Sequence, residues 1–98
     1  MSRLKLLWTP GALLGIQRAY RFLMEKDKDA ARAAVGAIRK RAAILKKYPQ
    51  AGQPANDLEP EYRELLVPFG ATGYVMIYEL RGDHVVVLAV RHQREAGY

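Results

Sequence analysis

Five side chains in the second half of this chain have types suited to acting together on a phosphodiester: Arg63, Arg91, His92, Arg94 and Tyr98. Arginines neutralise a phosphate, while His92 or Tyr98 could move a proton as a ribose hydroxyl attacks. Tyr62, Tyr74 and Tyr78 add rings on which bases could stack. The same residue types also grip protein surfaces, where Arg and Tyr are enriched as anchors. Plainer roles compete with both. A histidine at a strand end is often only a hydrogen-bonded structural group. Arg63 has Glu61 and Asp57 nearby in sequence, and tyrosines commonly fill sheet faces and cores.

Other chemistries lack their residues. The chain has no cysteine, so it carries no disulfide framework, thiolate metal site or cysteine nucleophile. Its only serine is Ser2, and its two histidines, His84 and His92, are not at a metal-ligand spacing. Gly70-Ala71-Thr72-Gly73 is not followed by a helical pattern, so it is not a phosphate cradle. Neither a metal nor a cofactor is expected.

A hairpin must position the polar cluster. Tyr74 to Leu80 and Val85 to Val90 are rich in β-branched, aromatic and aliphatic residues, and Arg81-Gly82-Asp83-His84 between them holds a Gly-Asp turn signal. The second run is apolar on both parities, with Val86, Leu88 and Val90 on one face and Val85, Val87 and Ala89 on the other. This predicts a central strand covered on both sides. Beyond Val90 the chain turns polar at Arg91-His92-Gln93-Arg94-Glu95, so the strand delivers these groups to one end of the sheet. If the strand continues through them, Arg91 and His92 point to opposite faces.

Leu4 to Trp8 reads as a first strand near an edge, stopped by Thr9-Pro10, an N-cap followed by a first-turn proline. The helix that begins there has an apolar stripe of Leu13, Ile16, Tyr20 and Leu23 and ends near Lys26. After a charged break, Asp29 is expected to cap a second helix running to about Tyr48. Ala31, Ala34 or Val35, Ile38, Ala42 and Leu45 form its buried stripe. So short a connection makes an antiparallel helical hairpin. Gln50 to Pro60 is a loop by composition, and Glu61 to Val67 alternates as a strand. The order is β-α-α-β-β-β, an α+β domain whose helical hairpin packs on a largely antiparallel four-stranded sheet.

The 98 residues suffice for one domain spanning 1–98. Its N-terminal apolar stretch is far too short for a signal sequence or a membrane span, so a cytoplasmic location is expected. The net charge of +6 is uneven, with ten Lys/Arg against three acids between Arg18 and Lys47. A basic helical surface of this kind suits an acidic protein partner or a nucleic-acid backbone, and otherwise is a solvated exterior. Arg18, Arg21, Arg32 and Arg39 are the expected contacts for an acidic partner.

In order along nearly the whole chain, Trp8-Thr9-Pro10, Leu45 with Pro49-Gln50-Ala51-Gly52, Tyr62-Arg63-Glu64-Leu65, the Tyr74 to Tyr78 strand and Leu88 to Glu95 resemble the RelE/ParE family of bacterial type II toxins. The resemblance implies a growth-inhibiting, plasmid-stabilising toxin of the same fold, encoded beside an antitoxin that neutralises it. RelE-like members cleave messenger RNA on the ribosome, and Arg63, Arg91, His92 and Tyr98 match or fall near positions of their catalytic set. The lysines that those enzymes use before the second strand are missing, because Gly52 to Glu61 contains none and carries three acids. Loss of one preorganised donor costs on the order of 3 kcal/mol of transition-state stabilisation. The resemblance therefore leans to the ParE-like branch, which inhibits DNA gyrase, with an inactive interaction module as a third reading. In that branch Arg91, His92, Arg94 and Tyr98 would make the target contacts.

The hydrophobic run stops at Val90, so deletion of residues 95–98 should leave the melting temperature and antitoxin capture intact while abolishing growth arrest. A large fall in melting temperature would instead make Tyr98 a clasp for the fold.

Overall fold

Thr9 fixes where the first helix starts and what it starts against. The structure, a computed structural model, describes residues 4–55 and 58–94. Strand β1 (Lys5–Trp8) runs into Thr9, which is extended at φ −72° and ψ 161° and caps α1 (Pro10–Met24) by accepting the Ala12 amide at 3.1 Å. Its hydroxyl also lies 2.9 Å from the Val87 carbonyl oxygen and 3.1 Å from that of Leu88. The cap is thereby bound to the last strand of the chain.

Helix α2 (Lys28–Ile44) follows after three residues and is capped by Asp27, whose carboxylate accepts the Asp29 and Ala30 amides. The expectation of Asp29 as the cap is corrected. Helix α1 stops at Met24, where the Lys26 and Asp27 amides both take the Leu23 carbonyl, so Asp27 is already extended when the next helix opens. Helix α2 ends before Tyr48, but i to i−3 bonds at Leu45, Lys46 and Lys47 prolong the coil and keep Leu45 in the buried stripe. Ala31, Ala34, Ile38 and Ala42 complete that stripe, as the periodicity predicts.

The sheet holds β2 (Gln53–Pro54), β3 (Tyr62–Phe69), β4 (Thr72–Arg81) and β5 (His84–His92) in the order β1-β5-β4-β3-β2. It is thus five-stranded rather than four-stranded. Two residues of the expected loop pair with Arg63 and Glu64, and a dipeptide is too short to carry a periodic signal. Strand β1 lies parallel to β5 at one edge, and the other pairings are antiparallel. Strand β5 is flanked on both sides, although β4 is the middle strand.

The expected face assignment in β5 fails at one residue. Tyr78 pairs with Val87 and Ile77 with Ala89, leaving Leu88 as an unpaired bulge. Val85 and Val87 face the helices before it, and Val90 does so after it, so alternation changes phase. A uniformly apolar run conceals such a shift.

The α1 stripe is also corrected. Leu13 is 48% exposed, while Ala12 and Ile16 are buried and Ala19 and Leu23 pack against the core. Backbone proximity explains the rotation: a Cβ on Gly15 would lie 2.1 Å from the Val90 carbonyl oxygen, and one on Gly11 3.2 Å from that of Leu88. The helix lays its smallest residues on β5. Below it Ile38, Leu45, Val67, Met76, Tyr78, Val85 and Val87 are almost fully buried, each aliphatic member contributing about 1.5–3 kcal/mol relative to exposure. Among the described residues no helix is long and apolar enough to cross a membrane.

Gly15→Ala should destabilise the fold by about 1–3 kcal/mol, because its methyl meets backbone that cannot rotate away. Gly36→Ala, on the open side of α2 with nothing within 4 Å, should stabilise it by about 0.5–1 kcal/mol. Urea unfolding of both variants checks the docking of α1, which shifts of the same sign would refute.

Candidate functional site

Tyr78 organises one end of the helix-facing side of the sheet. Its hydroxyl donates to the Pro49 carbonyl at 2.7 Å and accepts the Gly52 amide at 2.9 Å, while Arg63 Nη1 donates to the Gly52 carbonyl at 2.7 Å. Gly52 must be glycine here, since a Cβ would lie 2.6 Å from the Glu64 carbonyl oxygen and 2.7 Å from the Tyr78 hydroxyl. Burial raises the Tyr78 pKa above 10.0, opposed by the Gly52 hydrogen bond and the Arg63 charge. Arg63 therefore ties the segment after α2 to the sheet.

The other end of the sheet carries a groove. The Leu88 bulge turns His92 onto the helix side, where its ring meets Tyr74 edge-on at 5.5 Å. His92 Nδ1 accepts the Arg94 amide at 3.2 Å, which places the ring proton on Nε2, 3.0 Å from the Thr72 hydroxyl. Both ring nitrogens are engaged. Beside them Arg18 and Phe22 from α1, Lys26 from the turn after it and Arg94 from beyond β5 line a space of about 480 Å³, with Gly15 and Ala19 also in its wall. Phe22 is 60% exposed, with the Lys26 ammonium 4.3 Å from its ring centre. An apolar ring rimmed by cations suits an amphipathic, acidic ligand.

The residues expected to act together are divided. His92 and Arg94 line the groove. Arg91 pairs with Val75 and is exposed, one position from His92 in an unbroken strand, so its side chain points to the opposite face. Arg63 pairs with Tyr78, four residues along β3 from Val67, the partner of Tyr74, or about 13 Å at 3.3 Å per residue. Tyr98 lies outside the described residues. Gln53, Glu64, Leu66, Val75 and Gln93, together with Thr72 and Arg94, line a second depression, in which Gln53 donates to Glu64 at 3.2 Å. Among the described residues no group of three or more His, Cys, Asp or Glu could hold a metal.

Of the basic residues expected to meet an acidic partner, Arg18 lines the groove, and Arg21, Arg32 and Arg39 do not. Sequence reasoning missed Phe22, Lys26 and Thr72, and offered Tyr74 only as a stacking ring. The i, i+4 row Leu14, Arg18, Phe22, Lys26 could have exposed the α1 wall, but the phase shift that brings His92 to it left no sequence signal.

This α+β layering of a helical hairpin on a mixed sheet is that of known bacterial toxins. The toxin–antitoxin structure of the chromosomal ParDE system from P. aeruginosa matches with a TM-score of 0.76 at 19% identity, over 92% of this chain and 96% of that one. The RelBE2 complex of Mycobacterium tuberculosis matches with a TM-score of 0.65 at 18% identity, over 94% and 100%. A free E. coli RelE mutant matches at 0.59 and 13% identity, over 98% and 90%. In sequence, Toxin RelE3 of Caulobacter vibrioides is 34% identical over 86 residues, 88% of this chain and 90% of that protein. The family model for the ParE toxin of the type II toxin–antitoxin system parDE matches residues 6–97. The chain belongs to this RelE/ParE family of type II toxins, as its motif order implied.

Tyr78→Phe removes the acceptor for the buried Gly52 amide and should cost about 1–3 kcal/mol at neutral pH. Because the folded-state pKa of Tyr78 is raised, its contribution is complete below the unfolded value of 10.0 and is lost as pH rises through the folded one. Urea unfolding on both sides of about pH 10 should therefore show the native chain losing stability faster than the variant.

Proposed function

We propose that the chain arrests growth in the cytoplasm by inhibiting DNA gyrase, and that a cognate antitoxin neutralises it by placing an acidic, partly helical segment in the α1 groove. The observation that carries this reading is the division of the ribonuclease set. Phosphodiester cleavage without a metal needs cations and a proton-transfer group converging on one phosphate. Here Arg63 is occupied by the Gly52 carbonyl, His92 is bonded through both ring nitrogens, and Arg91 faces away from His92. The lysine-free, acidic stretch from Gly52 to Glu61 supports the same choice. The name of the Caulobacter relative, Toxin RelE3, favours the second reading, ribosome-dependent cleavage of messenger RNA.

Purified chain should inhibit supercoiling by gyrase and leave ribosome-bound message uncut. Arg63→Ala should lose toxicity only as far as it loses stability. Message cleavage with normal supercoiling would overturn the reading, as would a stable, well-folded Arg63→Ala protein devoid of toxicity. Expression without growth arrest would instead favour an inactive interaction module.

For the antitoxin, the groove cations Arg18, Lys26 and Arg94 should act mainly on the rate of encounter. Stopped-flow association should slow as salt is raised, and Arg18→Ala with Lys26→Ala should flatten that dependence. A salt-independent rate would remove electrostatics from the interaction.

A further inference from the structure

The groove uses only part of the basic charge of the helical hairpin. Arg32, Arg39, Lys40 and Lys46 are exposed on the outer side of α2 and its terminal turn, and none of them lines the groove. Arg32, Arg39 and Lys46 recur every seven residues, so they form one row about 21 Å long at 1.5 Å per residue, with Lys40 beside it. Among the described residues none of these four side-chain cations has a carboxylate or hydrogen-bond partner. Arg41 differs, since its Nε is held by the Leu66 carbonyl at 3.0 Å.

A helix face that is simply solvated gains from acids placed one turn from its bases, and unrelieved like charges oppose it. From Ala30 to Tyr48 there is no acid. The exposed residues between the cations, Ala33, Gly36 and Ala43, are among the smallest available, so a bulky polyanion can approach the helix closely. No aromatic residue lies between Arg32 and Lys46 on which a single strand could stack, the exposed ring beyond them, Tyr48, has the Lys47 ammonium 5.6 Å from its centre, and no Asn or Gln is present there to read a base edge.

We propose that the outer face of α2 binds the phosphate backbone of duplex DNA without sequence preference. The row of cations follows a rigid axis, as a regular duplex requires, and B-form DNA presents about one charge per 1.7 Å of its length. The major groove, roughly 12 Å wide, also admits a helix with so small a surface. Because the row lies off the α1 groove, DNA and a groove ligand can be held together. The inference does not depend on which ligand fills the groove or which target is inhibited.

Fluorescence anisotropy of a labelled random-sequence duplex, titrated with the full chain at several salt concentrations, tests it. Four phosphate contacts predict a log–log salt slope of about −3.6. The variant Arg32→Gln/Arg39→Gln/Lys40→Gln/Lys46→Gln should keep its melting temperature and lose at least about tenfold in affinity, with most of that slope. The milder pair Arg39→Gln/Lys40→Gln should lose about half of it, and gives the same reading should the fourfold variant not fold. Arg18→Gln/Lys26→Gln/Arg94→Gln, which strips the groove, should bind the duplex as the native chain does. Equal losses in the α2 and groove variants would overturn the proposal in favour of diffuse attraction by net charge. Competition by polyglutamate as effective as by duplex would overturn it in favour of an acidic protein. Tighter binding of the corresponding single strand would overturn it as well.

Discussion

The close contact of α1 with β5 depends on a single residue that the sheet does not pair. With Leu88 bulged, the Val90 carbonyl comes so near α1 that only a hydrogen fits at Gly15, and the Thr9 hydroxyl reaches the Val87 and Leu88 carbonyls. The same phase shift puts Val90 into the core and His92 beside Tyr74. A regular strand would send both to the far face, and α1 would lose its groove neighbour. Core packing and site geometry are therefore set by one irregularity in a hydrogen-bond ladder.

Much of this was legible in the residues. Thr9-Pro10 marks a helix start because the side chain and the missing amide resolve two orphan donors at once. The spacing of Ala31, Ala34, Ile38, Ala42 and Leu45 gives the buried face of α2, since only a 3.6-residue period places them together. The illegible parts share a cause, which is that backbone proximity leaves little trace in side-chain pattern. Periodicity favoured Leu13 for the α1 stripe because leucine is large and apolar. The structure favours Gly11, Ala12 and Gly15, because the strand is too near for anything larger. Likewise β2 arises from two residues that happen to lie beside Arg63 and Glu64, and a bulge inside an apolar run changes no residue type.

The basic residues occupy distinct places in the fold. A formal charge of +6 on a small protein says little until its members are located. Arg63 and Arg41 spend their charge on backbone carbonyls and hold the fold. Arg18, Lys26 and Arg94 line a concave space with Phe22, whose ring lies under the Lys26 ammonium. Arg91 points to the opposite face of the sheet. Groups that look collective in sequence thus divide into separate tasks, and the division, more than any missing residue, disfavours a shared phosphate site.

The parallel pairing of β1 with β5 has a consequence for synthesis. The first strand to leave the ribosome can find its place only against the last, and Thr9 bonds to a carbonyl 78 residues further along. Helix α1 likewise rests on β5, so neither wall of the groove has its support until nearly the entire chain has emerged. Contacts between residues this distant in sequence slow folding, because the intervening chain must be closed into a loop first. A nascent or truncated copy consequently lacks the groove. A toxin built this way cannot assemble its groove until its own translation is all but complete.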